Sequence, residues 1–341
     1  MIRSISRTGS QQLPGVVVPP SPTRVVVAPA IRIPAADAAA GVGAVVAAAE
    51  VAAEAVVVAE TEPMPRHEDL PSLGVGLGFR PVHREQIIHF RKSIDFLEIV
   101  ADHYFTTSPA KQAELEMLKA NFPLIPHGLA LSVGSAEGID TSYLNNFRGI
   151  VEAVHPAWCS DHIAFTRAGG IDIGHLTPVP KTSAALRVIR DNLRRVQESM
   201  SVPIILENIT ESIRYPEDEF TDAEFLGRIC DENDVGILLD VTNLYINSVN
   251  YRFDALEVVQ RLPKDRIVQL HFVGGRMEQG RWVDSHDSTT QDEIWQLLES
   301  VLAIAPVKGV ILERDEKIPP LRDLIPELDR ARSLFPQEIV D

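Results

Sequence analysis

Ile267-Val268-Gln269-Leu270-His271 is a short, β-branched apolar run that ends on an imidazole. After a loop opening with Gly274-Gly275 comes Asp284-Ser285-His286-Asp287. Such a run reads as a buried strand, with His271 where the strand leaves the core. Asp284 and His286 are two apart, so in extended backbone they point the same way. Two imidazoles and a carboxylate converging from one strand-loop unit have the chemistry of metal ligands, although one unit alone equally fits a satisfied core histidine and a polar loop.

Working outward, seven further stretches have the same texture: Leu73–Leu77, Asp95–Val100, Leu124–Pro126, Ala157–Ser160, Pro203–Leu206, Gly236–Leu239 and Gly309–Leu312. Helix-period segments separate them, such as Ala184–Met200 with Leu186, Ile189, Leu193 and Val196 on one face, and the segment marked by Trp295, Leu297, Leu298 and Val301. Apolar strands alternating with helices imply a parallel sheet covered by helices. Eight units in roughly 270 residues predict an α/β fold closed as a (β/α)8 TIM barrel over 71–341, rather than an open doubly wound sheet. Gly74-Val75-Gly76-Leu77-Gly78 lacks the spacing of a dinucleotide fingerprint and reads as a tight barrel turn.

Residues 1–70 differ: Val16 to Pro34 is rich in Pro and Val, and Ala35 to Ala59 is almost entirely Ala, Val and Gly. They read as a low-complexity, disordered tail. The uncharged apolar run Ala38 to Ala49 is shorter than the ~20 residues that span a bilayer, so no membrane partner is expected. The whole chain, 45% hydrophobic and 23% charged, has ample core for a globular domain. Its formal charge of −16 argues against a nucleic-acid partner. Cys159 and Cys230 are the only cysteines, which fits a cytoplasmic chain without a disulfide framework.

Barrel enzymes keep their chemistry at the C-terminal ends of the strands. Here those ends carry Glu98 and Asp102, His127, Ser160-Asp161-His162, Glu207-Asn208, Asp240-Val241-Thr242-Asn243, His271 with Asp284 and His286, and Glu313-Arg314-Asp315. So many buried carboxylates at one mouth would repel one another, and divalent cations would remove that penalty. The number of N and O ligands exceeds what a single ion uses, which predicts two or three metals. For single members the alternatives stay open: Glu98 and Asp102 as partners of Arg80 or Arg314, and Arg314 as a salt-bridge residue or a substrate clamp. His67, His83, His89 and His155 read as structural or exposed, whereas His103 and His175 follow strand ends and are candidates to line the pocket.

Gly74-Val75-Gly76-Leu77, Phe96-Leu97-Glu98, His127-Gly128-x-x-Leu131-Ser132-x-Gly134-Ser135, Ser160-Asp161-His162, Leu206-Glu207-Asn208, Asp240-x-x-Asn243, Asp284-x-His286-Asp287 and Leu312-Glu313-Arg314-Asp315 together resemble the multinuclear non-haem iron-dependent oxidase family. That family includes the iron oxidase of methanobactin biosynthesis. The resemblance spans about Leu73 to Pro320 and none of the tail. It implies a xylose-isomerase-like barrel holding two or three iron ions, mixed Fe(II)/Fe(III), with zinc or manganese as alternatives. It also implies a ribosomally made precursor peptide as substrate, modified with dioxygen and expected to react at Cys, and a small partner protein that presents the peptide.

Carried over by motif, the metal ligands are His127, His162, Glu207, Asp240, Asn243, His271, Asp284, His286 and Glu313, and the catalytic residues are Glu207, Asn208 and Asp240. Glu98, Asp102, His103, Asp161 and Arg314 are further metal or pocket residues. The chain departs from the pattern at Val100, Asp161, Thr242-Asn243 and Gly275, where relatives often have His, Glu, Asn-Asn and His. Two other barrel chemistries share such a ring: a trinuclear-metal phosphodiesterase related to apurinic endonucleases, and a two-metal sugar isomerase. A non-enzymatic metal-binding scaffold is the remaining alternative.

Overall fold

The computed structural model describes residues 65–106 and 108–335, so the expected tail lies largely outside the described residues. Eight parallel strands form the barrel: β1 (Gly74–Gly78), β2 (Leu97–Val100), β3 (Leu124–His127), β4 (Cys159–His162), β7 (Ile204–Glu207), β8 (Gly236–Asp240), β9 (Ile267–Phe272) and β12 (Gly309–Leu312). They pair in chain order, and β12 closes on β1 with Gly76 opposite Ile311. All eight expected strands are present.

Helices cover the outside: α1 (Pro109–Lys119), α2 (Thr141–Val154), α3 (Ser183–Gln197), α4 (Asp222–Asn233), α5 (Val241–Tyr251), α6 (Ala255–Arg261), α7 (Asp292–Leu302) and α8 (Ile325–Leu334). Their starts follow local chemistry. Asp140 caps α2 by accepting from the Ser142 and Tyr143 amides at 2.8 and 2.9 Å, and Thr221 with Glu224 forms a capping box on α4. No α-helix joins β1 to β2; α8 packs against β1 and β12 instead.

Two antiparallel hairpins follow strands β4 and β9: β5 (Ala164–Ala168) with β6 (Ile171–Pro178), and, in place of the loop expected after His271, β10 (Gly274–Glu278) with β11 (Arg281–Ser288). Each turns through two left-handed residues, Gly169-Gly170 and Gln279-Gly280, as a two-residue hairpin loop requires.

Alternation along the strands builds the interior in layers. Phe96, Ile125, Trp158, Ile205, Leu238, Val268 and Ile311 form a buried apolar layer, closed at the foot by Leu70. His67 is buried beneath it, with Nδ1 3.0 Å from the Arg266 guanidinium. The described residues 65–70 thus pack under the barrel, although the sequence reads them as part of the tail. Two positions further along β2, β3, β4, β7, β8 and β12 come Glu98, His127, Ser160, Glu207, Asp240 and Glu313, and a shift in the β8–β9 register brings Gln269 and His271 level with Leu238 and Asp240. An apolar floor therefore seals a polar mouth.

Gly74 to Gly78 is itself β1, not a turn. A Cβ on Gly76 would lie 2.5 Å from the Phe96 carbonyl oxygen and 2.8 Å from Ile311 Cδ1. Gly76→Ala is expected to destabilise the fold by about 1–3 kcal/mol, as overpacking a filled core does. Thermal unfolding of the variant checks this.

Candidate metal centre

Three groups of side chains converge in the mouth. In the first, His127 Nε2, His162 Nε2 and one oxygen of Glu207 lie 3.3–3.4 Å from one another. Tetrahedral donors at the usual metal–nitrogen bond of ~2.0–2.1 Å have edges of about 3.4 Å, so the triangle fits an ion. Ser160 Oγ holds His127 Nδ1 at 2.8 Å and leaves Nε2 facing the group.

The second group is Glu207, Asp240, His271 and Glu313. His271 Nδ1 lies 3.6 Å from Glu207 Oε1 and 3.1 Å from Glu313 Oε2. On its other side Nε2 donates to Glu98 Oε2 at 2.9 Å, which fixes the ring so that Nδ1 faces the group. Asp240 has a double task. It is the last residue of β8 and the N-cap of α5, where Oδ1 accepts from the Asn243 amide at 2.7 Å. Its Oδ2 is left without a partner. Glu207 belongs to both groups and can bridge two ions.

The third group is His286, Glu313 and Asp315, at the rim. His286 Nδ1 lies 3.0 Å from Asp315 Oδ2 and 3.8 Å from Glu313 Oε2, while Nε2 lies 2.7 Å from Asp284 Oδ1. Asp284 to Asp287 sits where the β10–β11 register shifts, and His286 has φ 48°, so the pair is offered by a bulge rather than by a plain extended strand.

The donor set fits cations on a direct observation. Glu207 Oε2, Asp240 Oδ2 and His271 Nδ1 are buried and make no well-aligned hydrogen bond, and buried Asp284 Oδ1 and His286 Nε2 face only each other at 2.7 Å. Buried polar atoms are ordinarily paired. The charges agree. Burial, with the charges of Glu207 and Asp284 beside it, pushes the Asp240 carboxyl well above the usual carboxylate range. Burial disfavours charge on His271, yet the carboxylates of Glu98, Glu207 and Glu313 hold its pKa well above the ordinary imidazole value. His127 goes the other way: burial and the neighbouring His162 and His271 hold it well below. A neutral imidazole amid unpaired carboxylates is a ligand field awaiting positive charge.

Several residues expected at the site have other work, for a common reason. Asp161, between Ser160 and His162 in β4, and Arg314, between Glu313 and Asp315 just past β12, are neighbours of inward residues and point away from the mouth. Asp161 accepts from the Leu131 amide at 3.1 Å and supports the loop after β3; burial raises its pKa to about 7. Arg314 donates to Glu327 Oε1 at 3.1 Å, so it is a salt-bridge residue and not a clamp. Asp102 accepts from the Tyr143 hydroxyl at 2.8 Å, and His103 and His175 are exposed.

Asn208 spans the backbone of Asp240, donating to its carbonyl at 3.0 Å and accepting from its amide at 2.9 Å. Both ends of its side chain are therefore engaged with the Asp240 backbone. Asn243 donates to the Asn208 carbonyl at 3.2 Å and accepts from Thr210, so both ends of its side chain are engaged too. Glu98 lies behind His271 instead of among the ligand atoms.

Three residues at the site were not expected there. Arg80, buried on the loop after β1, pairs with Glu313 at 3.0 Å and with Asp315. Asp315 lies two residues past Glu313, on the same face by alternation. Gln269 donates to Glu98 at 2.6 Å and accepts from Trp158 Nε1 at 2.8 Å, tying the apolar floor to the site. Glu98→Ala, which leaves His271 and Gln269 without their acceptor, is expected to weaken metal binding about 10–100-fold, the usual cost of losing such support. Competition against a chromogenic chelator measures it.

A closed parallel barrel with His and carboxylate clusters at its C-terminal mouth defines a xylose-isomerase-like barrel metalloenzyme. Residues 74–335 match the family described as RiPP precursor modification enzyme MbnB/TglH/ChrH, and the chain belongs to that family. RiPPs are ribosomally made, post-translationally modified peptides, so the enzyme acts on a peptide precursor.

The chain is 32% identical over 264 residues to a UPF0276 protein of Caulobacter vibrioides, covering 77% of this chain and 94% of that one. Against a UPF0276 protein of Bordetella bronchiseptica it is 32% identical over 277 residues, covering 79% and 96%. In fold it is similar to the 3-keto-D-glucoside 4-epimerase YcjR of E. coli, with TM-score 0.51, 15% identity and 76% and 99% of the two chains covered. Endonuclease IV of Thermus thermophilus gives TM-score 0.50, 15% identity and coverage of 76% and 98%. No helix among the described residues is long and apolar enough to cross a membrane.

Proposed function

We propose that this enzyme is a multinuclear iron-dependent oxidase that uses dioxygen to modify a Cys residue of its precursor peptide. The observation that carries this reading is the donor set: imidazole and carboxylate only, gathered around the shared Glu207, with both cysteines of the chain kept out of it. Cys159 and Cys230 are free and buried, and burial pushes both thiols up, Cys230 to about 12. They stay protonated, so a substrate thiolate meets no competing thiolate from the protein.

His127, His162 and Glu207 would hold one ion, and Glu207, Asp240, His271 and Glu313 a second. Iron bound there supplies redox chemistry with dioxygen and accepts a soft thiolate ligand. The chain's own residues do the rest. Ser160 and Glu98 fix the tautomers of His127 and His271, and Asn208 locks the backbone that carries Asp240. The layer of Phe96, Ile125 and Trp158 closes the barrel beneath the site and keeps water from reaching it from below. A positioned peptide side chain then meets donors that need no reorganisation. The resemblance further supports a small partner protein that presents the peptide, and the two free cysteines support a cytoplasmic setting. A phosphodiesterase reading on the same barrel is disfavoured by the formal charge of −16, which repels a polyanionic substrate.

The test is anaerobic purification, metal analysis and incubation with a Cys-bearing precursor peptide encoded beside the gene, together with any neighbouring partner. Iron in the protein and a dioxygen-dependent mass change confined to the Cys are expected. A protein filled only with zinc, inert to dioxygen and peptide, overturns the reading.

A further inference from the structure

The three groups in the mouth differ in whether their donors are free. In the first two, Glu207 Oε2, Asp240 Oδ2 and His271 Nδ1 make no well-aligned hydrogen bond. In the third, the oxygens of Asp315 are both taken: Oδ1 by Arg80, and Oδ2 by His286 Nδ1 at 3.0 Å. Glu313 Oε1 is taken as well, by Arg80 Nη2 at 3.0 Å, which leaves Oε2 facing His271 Nδ1 at 3.1 Å. Arg80 is itself buried and lies behind the rim, anchored by a bond from Nη1 to the Phe79 carbonyl at 3.1 Å.

From this we infer that Arg80 is a built-in cation that occupies the His286–Glu313–Asp315 cluster, bars a metal ion from it, and so sets how many ions the enzyme carries. A guanidinium is suited to this task because it does not lose its proton in a protein. It also repels a divalent ion brought to the carboxylates it already neutralises. Glu313 is left to serve the buried Glu207–Asp240–His271 group through one oxygen. An ion held by His286 must then use the opposite nitrogen, Nε2, which faces Asp284 Oδ1 at 2.7 Å. The inference rests on the reading of the mouth as a metal centre.

Metal counting tests it without reference to turnover. The full chain and its variants are loaded anaerobically with Fe(II), and separately with Mn(II), desalted, and assayed for ions per chain. Asp315→Asn is expected to hold as many ions as the wild type, because Asp315 is not a ligand while Arg80 is present. Arg80→Gln frees both carboxylates and is expected to take up about one more ion per chain. Arg80→Gln combined with Asp315→Asn returns to the wild-type count.

Loss of an ion from Asp315→Asn, or no gain in a folded Arg80→Gln, overturns the proposal. If circular dichroism shows Arg80→Gln unfolded, Asp315→Asn alone decides. A wild type that retains no ion of either metal would instead strike at the metal-centre reading.

Discussion

Glu207→Gln is expected to empty both buried metal sites and to lower peptide modification by well over a hundredfold. Its two oxygens serve different groups: Oε2 lies 3.4 Å from His127 Nε2 and 3.3 Å from His162 Nε2, and Oε1 lies 3.6 Å from His271 Nδ1. An amide is isosteric, but it lacks the charge and presents hydrogens where one of those groups needs a lone pair. Loss of support behind a ligand costs about 10–100-fold, and loss of a shared ligand must exceed it. Metal analysis and mass spectrometry of the peptide read the two effects separately. The fold should survive, since removing a carboxylate from a crowd of carboxylates relieves repulsion in the metal-free protein. Retention of both ions by a folded Glu207→Gln would show that Glu207 does not bridge.

The barrel was legible because its strands are short, apolar and evenly spaced, and because strands buried on both faces keep that texture even when ligands end them. The ligands were legible because they recur at equivalent strand ends. What escaped came from one step not taken. Side chains alternate along a strand, so Ser160 and His162 facing inward send Asp161 outward, and Glu313 and Asp315 facing inward send Arg314 outward. Applied strictly, that rule assigns Asp315 to the site and removes Arg314. The hairpins were hidden by polar composition: Arg281 to Ser288 has no apolar period, and Gly169-Gly170 was the local signal for a two-residue turn. Arg80 was legible only as a partner for Glu98 or Asp102; closure of β1 on β12 brings it instead beside Glu313, 233 residues away. Asn208 and Asn243 could not be separated from ligands by motif, because residues that position a ligand recur in a motif as regularly as the ligand does.

Removing the metal is expected to lower stability, and to lower it more as pH rises from about 6.5 to 8.5. Above pH 6.5 an unfolded histidine has lost its proton. In the metal-free fold His271 keeps its proton, held there against burial by Glu98, Glu207 and Glu313; His286 does likewise, against burial, through Asp284, Glu313 and Asp315. The buried carboxyls of Asp240 and Asp161 also have raised pKa values, so they too retain protons that the unfolded chain has released. Stability falls with pH wherever the folded state binds more protons than the unfolded one, so each of these groups contributes stability at low pH that is lost as pH climbs through its folded value.

The opposing groups act only at the low edge of this window. Glu313, whose pKa is lowered against burial by His271 and His286, has given up its proton in both states. His127, and with it His67, His83 and His103, all lowered chiefly by burial, add stability with pH only until the unfolded imidazole, near pH 6.5, has lost its proton. Bound metal reverses the trend, because it takes the place of the protons and binds better as pH rises. An ion present at a hundred times its dissociation constant adds about 2.7 kcal/mol. For a domain of this size that is a melting temperature higher by roughly 5–10 °C. Paired melts of chelated and reloaded protein at pH 6.5, 7.5 and 8.5 should therefore diverge, with the metal-free curve moving down. A gap that narrows with pH would mean that the carboxylates of the mouth are neutralised by the chain itself, leaving the ions no charge to balance.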